Sequence, residues 1–306
     1  MDKINKTAII FPGQGTQYPG MGKELFDSSA AVRDLYGMAE GVRSGITELC
    51  FNGSADDLKK TENTQPALYL TELAVAVELL AHGIKAAALA GFSLGEITAL
   101  AYGGAFDHEK GFRIVCRRGE LMGRDIGIPT AMAAILKLTP EAVEEICARH
   151  DELYPVNYNC PGQITVSGTR AALEAAKPEF ISAGGRVIPL AVSGAFHSPF
   201  MKTAADELYS YLLTESIKLP EITVYSNRTA EPYTDPIEQM REQIVSPVLW
   251  EKTLCNMYAS GINTFIEAGP GQTLTKFVQK TLPDALTYHA EKPEDIAKIA
   301  EELCNA

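Results

Sequence analysis

A chain of 306 residues suits one large domain or two smaller ones, and its 46 % hydrophobic and 22 % charged content is typical of a soluble globular protein. The net charge of −12 at pH 7 argues against binding to nucleic acid. The N-terminus lacks the long apolar stretch of a signal peptide, and charged residues interrupt the most apolar region, 74–95. We therefore expect neither export nor a membrane span.

Six cysteines are dispersed along the chain, without a C-x-x-C pair, which favours reduced thiols in the cytoplasm. The five histidines are equally dispersed, so the sequence indicates no local metal motif. We expect a cytoplasmic protein without a cofactor or metal. Because no long exposed apolar segment demands a second copy, we also expect a monomer.

The first elements alternate between strands and helices. The segment TAIIFPGQG predicts a buried strand that ends at Pro12. A helix is predicted over 66–83, with Pro66 at its start, and is followed by a short strand in KAAALAGFS. Two further helices are predicted, one in LGEITALAYGG and one over 107–124. This alternation indicates a mostly parallel α/β sheet.

Residues 130–192 follow a different pattern. Strands are predicted in TAMAAILKL, YPVNYN, QITVSG and RVIPLAV (186–192), with helices after the first and third strands. The resulting order, βαββαβ, is the ferredoxin-like arrangement. We therefore predict a small subdomain over 127–192, inserted into a larger α/β subdomain formed by 1–126 and 193–306. After it, a long helix is predicted over 198–217.

Ser93 lies in the segment GFSLG, which fits G-x-S-x-G between a predicted strand and a predicted helix. A serine at such a turn exposes its hydroxyl, and the N–H of Leu94 would lie at a helix N-terminus, where an oxyanion is stabilised. The segment therefore predicts a nucleophile. The alternative is a purely structural turn between strand and helix.

A serine nucleophile needs a base, and His197 in VSGAFHSPF follows a predicted strand. The alternative is a histidine that caps a helix or packs in the core. No acidic residue between Ser93 and His197 has a clear strand-end position, so we expect carbonyl or amide groups to orient the imidazole. The glycine-rich segment FPGQGTQYPGMG fits neither a dinucleotide fingerprint nor a P-loop. This segment either presents the N–H of Gln14 as a second donor to the oxyanion or forms a turn with no catalytic role.

These segments together resemble the malonyl-CoA:acyl-carrier-protein transacylase family. The resemblance covers nearly the whole chain and rests on FPGQGTQYPGMG, TQPALY, GFSLGE, RRGELM, NCPGQITVSG, GAFHS, QIVSPVLW and EAGPGQTL, in the order of the family. It implies an α/β-hydrolase-like large subdomain with a ferredoxin-like small one. It also implies a ping-pong reaction, in which a serine takes malonyl from malonyl-CoA and passes it to the phosphopantetheine thiol of acyl carrier protein.

The resemblance also implies a role for individual residues. Ser93 would be the nucleophile and His197 the general base and acid, while the N–H groups of Gln14 and Leu94 would form the oxyanion hole. Arg118 would bind the malonyl carboxylate, which its planar guanidinium suits.

Four further residues complete the site that the resemblance implies. Gln243 and Asn159 would support the histidine and the active site. Phe92 departs from the family, which usually has histidine before the nucleophile, so it affects malonyl affinity or the choice of acyl group. Phe196 resembles the form that accompanies malonyl rather than bulkier branched acyl groups.

Two sets of basic residues are candidates for contact with an acidic carrier protein. Four of them share a predicted helix face: Lys110, Arg113, Arg117 and Arg124. Lys276 and Lys280 form a second pair at i, i+4. Each set is either a docking patch that overrides the net charge locally or an ordinary solvated face.

Three other functions remain open at this point. A serine thioesterase or hydrolase would use the same turn but would not need Arg118. A non-catalytic scaffold would not need to retain Ser93, His197 and Arg118 together. A free-standing acyltransferase of a polyketide synthase shares every motif with an enzyme that supplies fatty-acid synthesis.

Overall fold

The computed structural model describes residues 6–192 and 194–304. These residues form two sheets, which contain nine strands in chain order: β1 (Thr7–Phe11), β2 (Ala88–Gly91), β3 (Thr130–Leu136), β4 (Leu153–Cys160), β5 (Gln163–Thr169), β6 (Arg186–Pro189), β7 (Thr223–Tyr225), β8 (Thr264–Ala268) and β9 (Leu286–Ala290).

Helices surround both sheets. In the described part of the chain they are α1 (Lys23–Ser28), α2 (Ala30–Val42), α3 (Ile46–Asn52), α4 (Ala55–Leu58), α5 (Thr61–Ala81), α6 (Gly95–Tyr102), α7 (His108–Met122), α8 (Pro140–Cys147), α9 (Arg170–Ser182), α10 (Lys202–Leu212), α11 (Pro236–Val245), α12 (Trp250–Ala259), α13 (Thr273–Thr281) and α14 (Pro293–Cys304), with a 3₁₀ turn at Pro199–Met201. None of these helices is long and apolar enough to cross a bilayer.

The larger sheet has the strand order β7-β2-β1-β8-β9 and is parallel throughout its described residues. Strands β1, β2 and β8 are buried along their full length because helices cover both faces of the sheet. The carboxyl ends of parallel strands meet at one edge, so the segments after β1, β2 and β7 converge there. This edge holds the candidate site.

The smaller sheet is antiparallel in the order β4-β5-β3-β6, with α8 and α9 packed against it. It has its own core around Ile135, Val166 and Phe180. The predicted fold class, a parallel α/β sheet with a separate βαββαβ unit, is confirmed. The subdomain boundaries at 126/127 and 192/193 remain a prediction.

Several element boundaries differ from those predicted, and three of these differences lie in segments that contribute to the site. Helix α5 begins at Thr61, so Pro66 lies inside it. Proline cannot donate to the carbonyl of Glu62 four residues earlier, and Arg43 Nη1 donates to that oxygen instead, at 2.6 Å. The missing bond is thus replaced, and the helix continues through the proline.

The other two differences lie on either side of His197. Strand β6 ends at Pro189 rather than at 192, and the chain then leaves the sheet along the cavity described below. The long helix predicted over 198–217 begins with the 3₁₀ turn, and α10 itself runs over Lys202–Leu212.

Candidate active site

Ser93 forms the tight turn between β2 and α6. Its φ angle of 54° is in the left-handed region, which is strained for a residue with a side chain. A Cβ on Gly91 would lie 1.9 Å from the backbone of Gly95, and a Cβ on Gly95 would lie 2.3 Å from the Phe11 carbonyl oxygen. Both positions therefore require glycine, which lets α6 begin directly against β1 and β2.

Asn227, which follows β7, holds this strained turn in place. Its Oδ1 accepts the N–H of Ser93 at 2.7 Å, and its Nδ2 donates to the Gly91 carbonyl at 2.6 Å. The side chain is fully buried, so these two bonds are not shared with water. Sequence reasoning missed Asn227, because only the pairing of β7 with β2 brings it beside the serine.

His197 lies within hydrogen-bond distance of the serine, with 2.7 Å between Nε2 and Ser93 Oγ. Its Nδ1 lies 2.9 Å from the carbonyl oxygen of Gln243, near the C-terminal end of α11, which also accepts the N–H of Ser246 at 3.3 Å. A carbonyl can only accept, so Nδ1 carries the proton and Nε2 is free to accept from the serine. A carbonyl thus takes the place of the usual acid.

Burial keeps the imidazole neutral. His197 is 4 % exposed, and desolvation, with the positive charge of Arg118 second, lowers its pKa to about 4. At neutral pH the histidine is therefore an unprotonated base that already contacts the serine hydroxyl.

Arg118 lies on the inward face of α7 and is 1 % exposed. Its Nη1 donates to Gln65 Oε1 at 2.7 Å, and its Nη2 donates to Gln243 Oε1 at 2.9 Å and to Ser93 Oγ at 3.2 Å. Burial lowers its pKa to about 10, so the guanidinium still carries its charge at pH 7. Within the described residues no carboxylate lies at ion-pair distance from it, so its hydrogen-bond acceptors are two amides and a hydroxyl, and Glu96 acts on its charge without direct contact.

Glu96 lies beneath these groups on the first turn of α6 and is fully buried. Its Oε1 accepts the O–H of Tyr233 at 2.5 Å and the N–H of Asn227 at 3.0 Å, and its Oε2 accepts from Gln243 Nε2. Sequence reasoning did not single out Glu96, although the motif GFSLGE places it one helical turn after the serine.

Two backbone N–H groups belong to residues that line the cavity beside Ser93. The N–H of Leu94 precedes the first turn of α6, and the N–H of Gln14 lies in the loop after β1; both residues line the same cavity as Ser93. In the described part of the chain neither N–H has a protein acceptor. They are therefore available to a developing negative charge at the helix N-terminus.

The cavity above Ser93 has a volume of about 250 Å³ and separates the two sheets. Strands β3, β4 and β5 form one wall, and the loops at the edge of the larger sheet form the other. Phe92 and Phe196 line it, and Phe92 packs edge-on against Trp250 with ring centroids 5.5 Å apart. Asn159 lies on the opposite wall, bonded to Thr165 Oγ1 at 3.2 Å and not to His197.

The two basic sets differ in how much of their charge is neutralised. On α7, Arg113 pairs with Glu109 at 2.7 Å, and Arg117 pairs with Glu207 at 3.2 Å. The other two members are also paired, Lys110 with Glu215 and Arg124 with Glu207. On α13, Lys276 and Lys280 are exposed and form no ion pair among residues 6–192 and 194–304.

Comparison with known proteins agrees with this geometry. The family described as acyl transferase domain matches residues 8–299. The malonyl CoA-acyl carrier protein transacylase of Bacillus subtilis (strain 168) is 39 % identical over 311 residues, which cover 98 % of each chain. The chain therefore belongs to the acyl transferase domain family, as the resemblance implied.

Solved structures agree as well. The malonyl CoA-acyl carrier protein transacylase of Clostridium perfringens is similar with a TM-score of 0.95 at 36 % identity, over 98 % of each chain. A malonyl-transacylase solved in complex with a type II PKS acyl-carrier protein has a TM-score of 0.93 at 29 % identity, over 97 % of this chain and 100 % of that one. The two-subdomain fold is common to these structures.

Proposed function

We propose that this protein is a malonyl-CoA:acyl-carrier-protein transacylase that supplies malonyl groups for fatty-acid synthesis. The observation that carries the proposal is a serine–histidine pair beside a buried arginine that forms no ion pair with any described residue. The pair provides acyl transfer, and the arginine provides a site for an acyl group that ends in a carboxylate. The names of the similar proteins support the same activity.

In the first half-reaction, Ser93 Oγ attacks the thioester carbonyl carbon of malonyl-CoA while its proton passes to His197 Nε2. The carbonyl oxygen becomes an oxyanion, which the N–H groups of Leu94 and Gln14 stabilise. When the tetrahedral intermediate collapses, the carbon–sulfur bond breaks. The imidazolium returns the proton to the sulfur, so CoA leaves as a thiol and malonyl remains as an ester on Ser93.

Arg118 selects the malonyl group by its carboxylate. Among the described residues the Nε of Arg118 is buried without an acceptor, and its Nη2 contacts Ser93 Oγ at 3.2 Å, so both donors can turn to a carboxylate beside the serine. These two N–H groups form the parallel pair that a carboxylate accepts. An acetyl group has nothing to offer them, so its binding leaves the buried cation unpaired.

In the second half-reaction, the phosphopantetheine thiol of acyl carrier protein gives its proton to His197 and attacks the ester. The ester bond breaks, and Ser93 Oγ regains its proton from the imidazolium. These residues supply every group the cycle requires, so we propose an enzyme without a cofactor or metal. The six cysteines are unpaired thiols, which supports the predicted cytoplasmic location.

We propose that the carrier protein docks beside α13 rather than on α7. Helix α13 contributes Leu274 and Phe277 to the cavity wall and exposes Lys276 and Lys280, which form no salt bridge in the described part of the chain. The α7 cations are already paired, so they offer an acidic partner little attraction.

Intact mass spectrometry tests the proposed function. Native protein incubated with malonyl-CoA should gain one malonyl group, and Ser93→Ala should gain none. Addition of carrier protein with its phosphopantetheine arm should remove the group from the enzyme, and carrier protein without the arm should not. Steady release of free CoA without an adduct would instead identify a hydrolase. Comparison of fatty-acid and polyketide carrier proteins as acceptors distinguishes the two pathways.

A further inference from the structure

Gln243 is the residue that connects the three proposed reaction groups. Its carbonyl accepts from His197 Nδ1, and its side-chain oxygen accepts from Arg118 Nη2 at 2.9 Å. Its side-chain nitrogen donates to the Ser93 carbonyl at 2.7 Å and to Glu96 Oε2. Both hydrogens of the amide nitrogen are therefore used, and the orientation of the amide decides what Arg118 meets.

A carboxamide can rotate by 180° with almost no change in shape, which would exchange its oxygen and nitrogen. The rotated form would present N–H groups to the guanidinium and an oxygen to the Ser93 carbonyl. Two acceptors, the Ser93 carbonyl and Glu96, oppose this rotation, and only Glu96 carries a charge. Hydrogen bonds to a charged group are about twice as strong as neutral ones.

We propose that Glu96 is a positioning residue of the acyl-transfer site: its carboxylate holds the Gln243 amide in the orientation that presents an acceptor to Arg118. This inference rests on the proposed function and adds a residue to it. Glu96 does not touch the reacting atoms. It acts through Gln243 on the guanidinium and through Asn227 on the serine turn.

The surroundings of Glu96 require an acceptor at both oxygens. Tyr233 and Asn227 donate to Oε1 and Gln243 donates to Oε2, so the ionised carboxylate matches all three donors. In Glu96→Gln the amide oxygen would stay with Tyr233 and Asn227, and the new NH₂ group would face the NH₂ group of Gln243. Gln243 would then rotate and turn its nitrogen toward Arg118. The change is almost isosteric, so it alters the hydrogen-bond pattern rather than the packing.

The pH dependence of the acylation rate distinguishes the effect of Glu96 from that of the proposed base, His197. Burial raises the pKa of Glu96 to about 7, and the hydrogen bonds and the charge of Arg118 only partly oppose this. In the described part of the chain, the charged or titratable groups that act on it are Tyr233, which stays neutral, and Arg118, which stays charged. His197 titrates near 4, so it produces no change near neutrality. Protonation of Glu96 as the pH falls through 7 should therefore lower the rate while His197 is still a free base.

The experiment measures the rate of Ser93 malonylation by malonyl-CoA from pH 5 to pH 9 in native protein, Glu96→Gln and Glu72→Gln. Glu72 is a matched control because it is fully buried and contacts α6 through Thr98, but does not touch Gln243. Burial raises its pKa well above the usual value, which favours the neutral carboxyl that glutamine resembles. Circular dichroism confirms that each variant is folded. If Glu96→Gln is unfolded, Glu96→Asp replaces it, since it keeps the carboxylate and moves it back by one methylene.

Native protein and Glu72→Gln should show a decline in rate below about pH 7, and their rates should agree within about twofold. Glu96→Gln should be about 30-fold slower at pH 8, should lack that decline, and should prefer malonyl-CoA over acetyl-CoA less strongly. Glu96→Asp should keep the decline at a reduced rate. A decline near pH 7 that persists in Glu96→Gln, or that is absent in native protein, would overturn the role of Glu96 and leave the transacylase intact. Native protein that forms no malonyl-serine at any pH would overturn both.

Discussion

Helix α7 carries arginines on two faces that differ in what they contact. Arg118 on the inner face is buried and is bonded to Gln65 and Gln243, whereas Arg113 and Arg117 on the outer face are paired with glutamates. The outer arginines therefore have their charge neutralised by glutamates, whereas Arg118 on the inner face forms no ion pair with the described residues. A buried cation that forms no ion pair among the described residues can bind an anion directly, and we assign that anion to the substrate.

The largest effect should come from removing the inner charge. Arg118→Gln loses two charge-assisted hydrogen bonds to the malonyl carboxylate, so kcat/KM for malonyl-CoA should fall about a thousandfold. Arg113→Gln on the outer face is the matched control and should change it by less than about twofold. Steady-state kinetics with malonyl-CoA and acetyl-CoA measure both variants. Equal losses of kcat/KM in Arg118→Gln and Arg113→Gln would contradict the proposed difference between the two faces of α7.

A second variant tests whether Arg118 must lack an ion-pair partner. Gln65→Glu keeps the shape of the side chain but gives Arg118 a carboxylate partner. Two carboxylates about 5 Å apart at an effective dielectric constant of about 20 repel by about 3 kcal/mol, so kcat/KM for malonyl-CoA should fall about a hundredfold. The same kinetic assay measures the fall, and acetyl-CoA should be much less affected. Unchanged kinetics would show that a free charge at Arg118 is not required.

The difference between paired charges and charges without a salt bridge can also be tested at the surface, with acyl carrier protein as the binding partner. Lys276→Glu with Lys280→Glu reverses two exposed charges beside the cavity that form no salt bridge with the described residues, and the KM for carrier protein should rise about tenfold at low salt. Arg113→Glu with Arg117→Glu reverses charges that are already paired, so the KM should stay within about twofold. Titration of carrier protein against each malonylated variant gives these values. The opposite ranking would place the docking surface on α7.

The smallest effect concerns Phe92, which lines the same cavity as Arg118. Phe92→His restores a hydrogen-bonding group next to the acyl chain, so the preference for malonyl-CoA over acetyl-CoA should rise about threefold. Phe92→Leu keeps the position apolar and should leave the preference unchanged.

If comparable turnover of methylmalonyl-CoA and malonyl-CoA were observed in native protein, the role assigned to Phe196 would fail.

The contrast between the two faces of α7 also explains which residues of the site could be predicted from the sequence. Ser93 and His197 follow from local patterns, because a strained turn between strand and helix leaves a recognisable spacing. Arg118 came only from the family resemblance, since nothing in its neighbourhood on α7 distinguishes it from Arg117. Gln65 and Asn227 were missed because their function depends on contacts 53 and 134 residues away along the chain.

Element boundaries show the same limit. The alternation of strands and helices was enough to predict a parallel sheet with an inserted βαββαβ unit. It was not enough to predict that α5 begins before Pro66, because the carbonyl that the proline leaves free is satisfied by Arg43 on a different helix boundary. Local rules predict the elements, and long-range hydrogen bonds decide where they end.

The most direct test of the free charge at Arg118 is a competition between two acyl donors. Native protein and Arg118→Gln are each mixed with equal concentrations of malonyl-CoA and acetyl-CoA, and the acyl group on Ser93 is identified by intact mass within the first turnover. We expect native protein to carry malonyl almost exclusively and Arg118→Gln to carry acetyl at least as often. Equal loading of both groups on native protein would contradict this expectation.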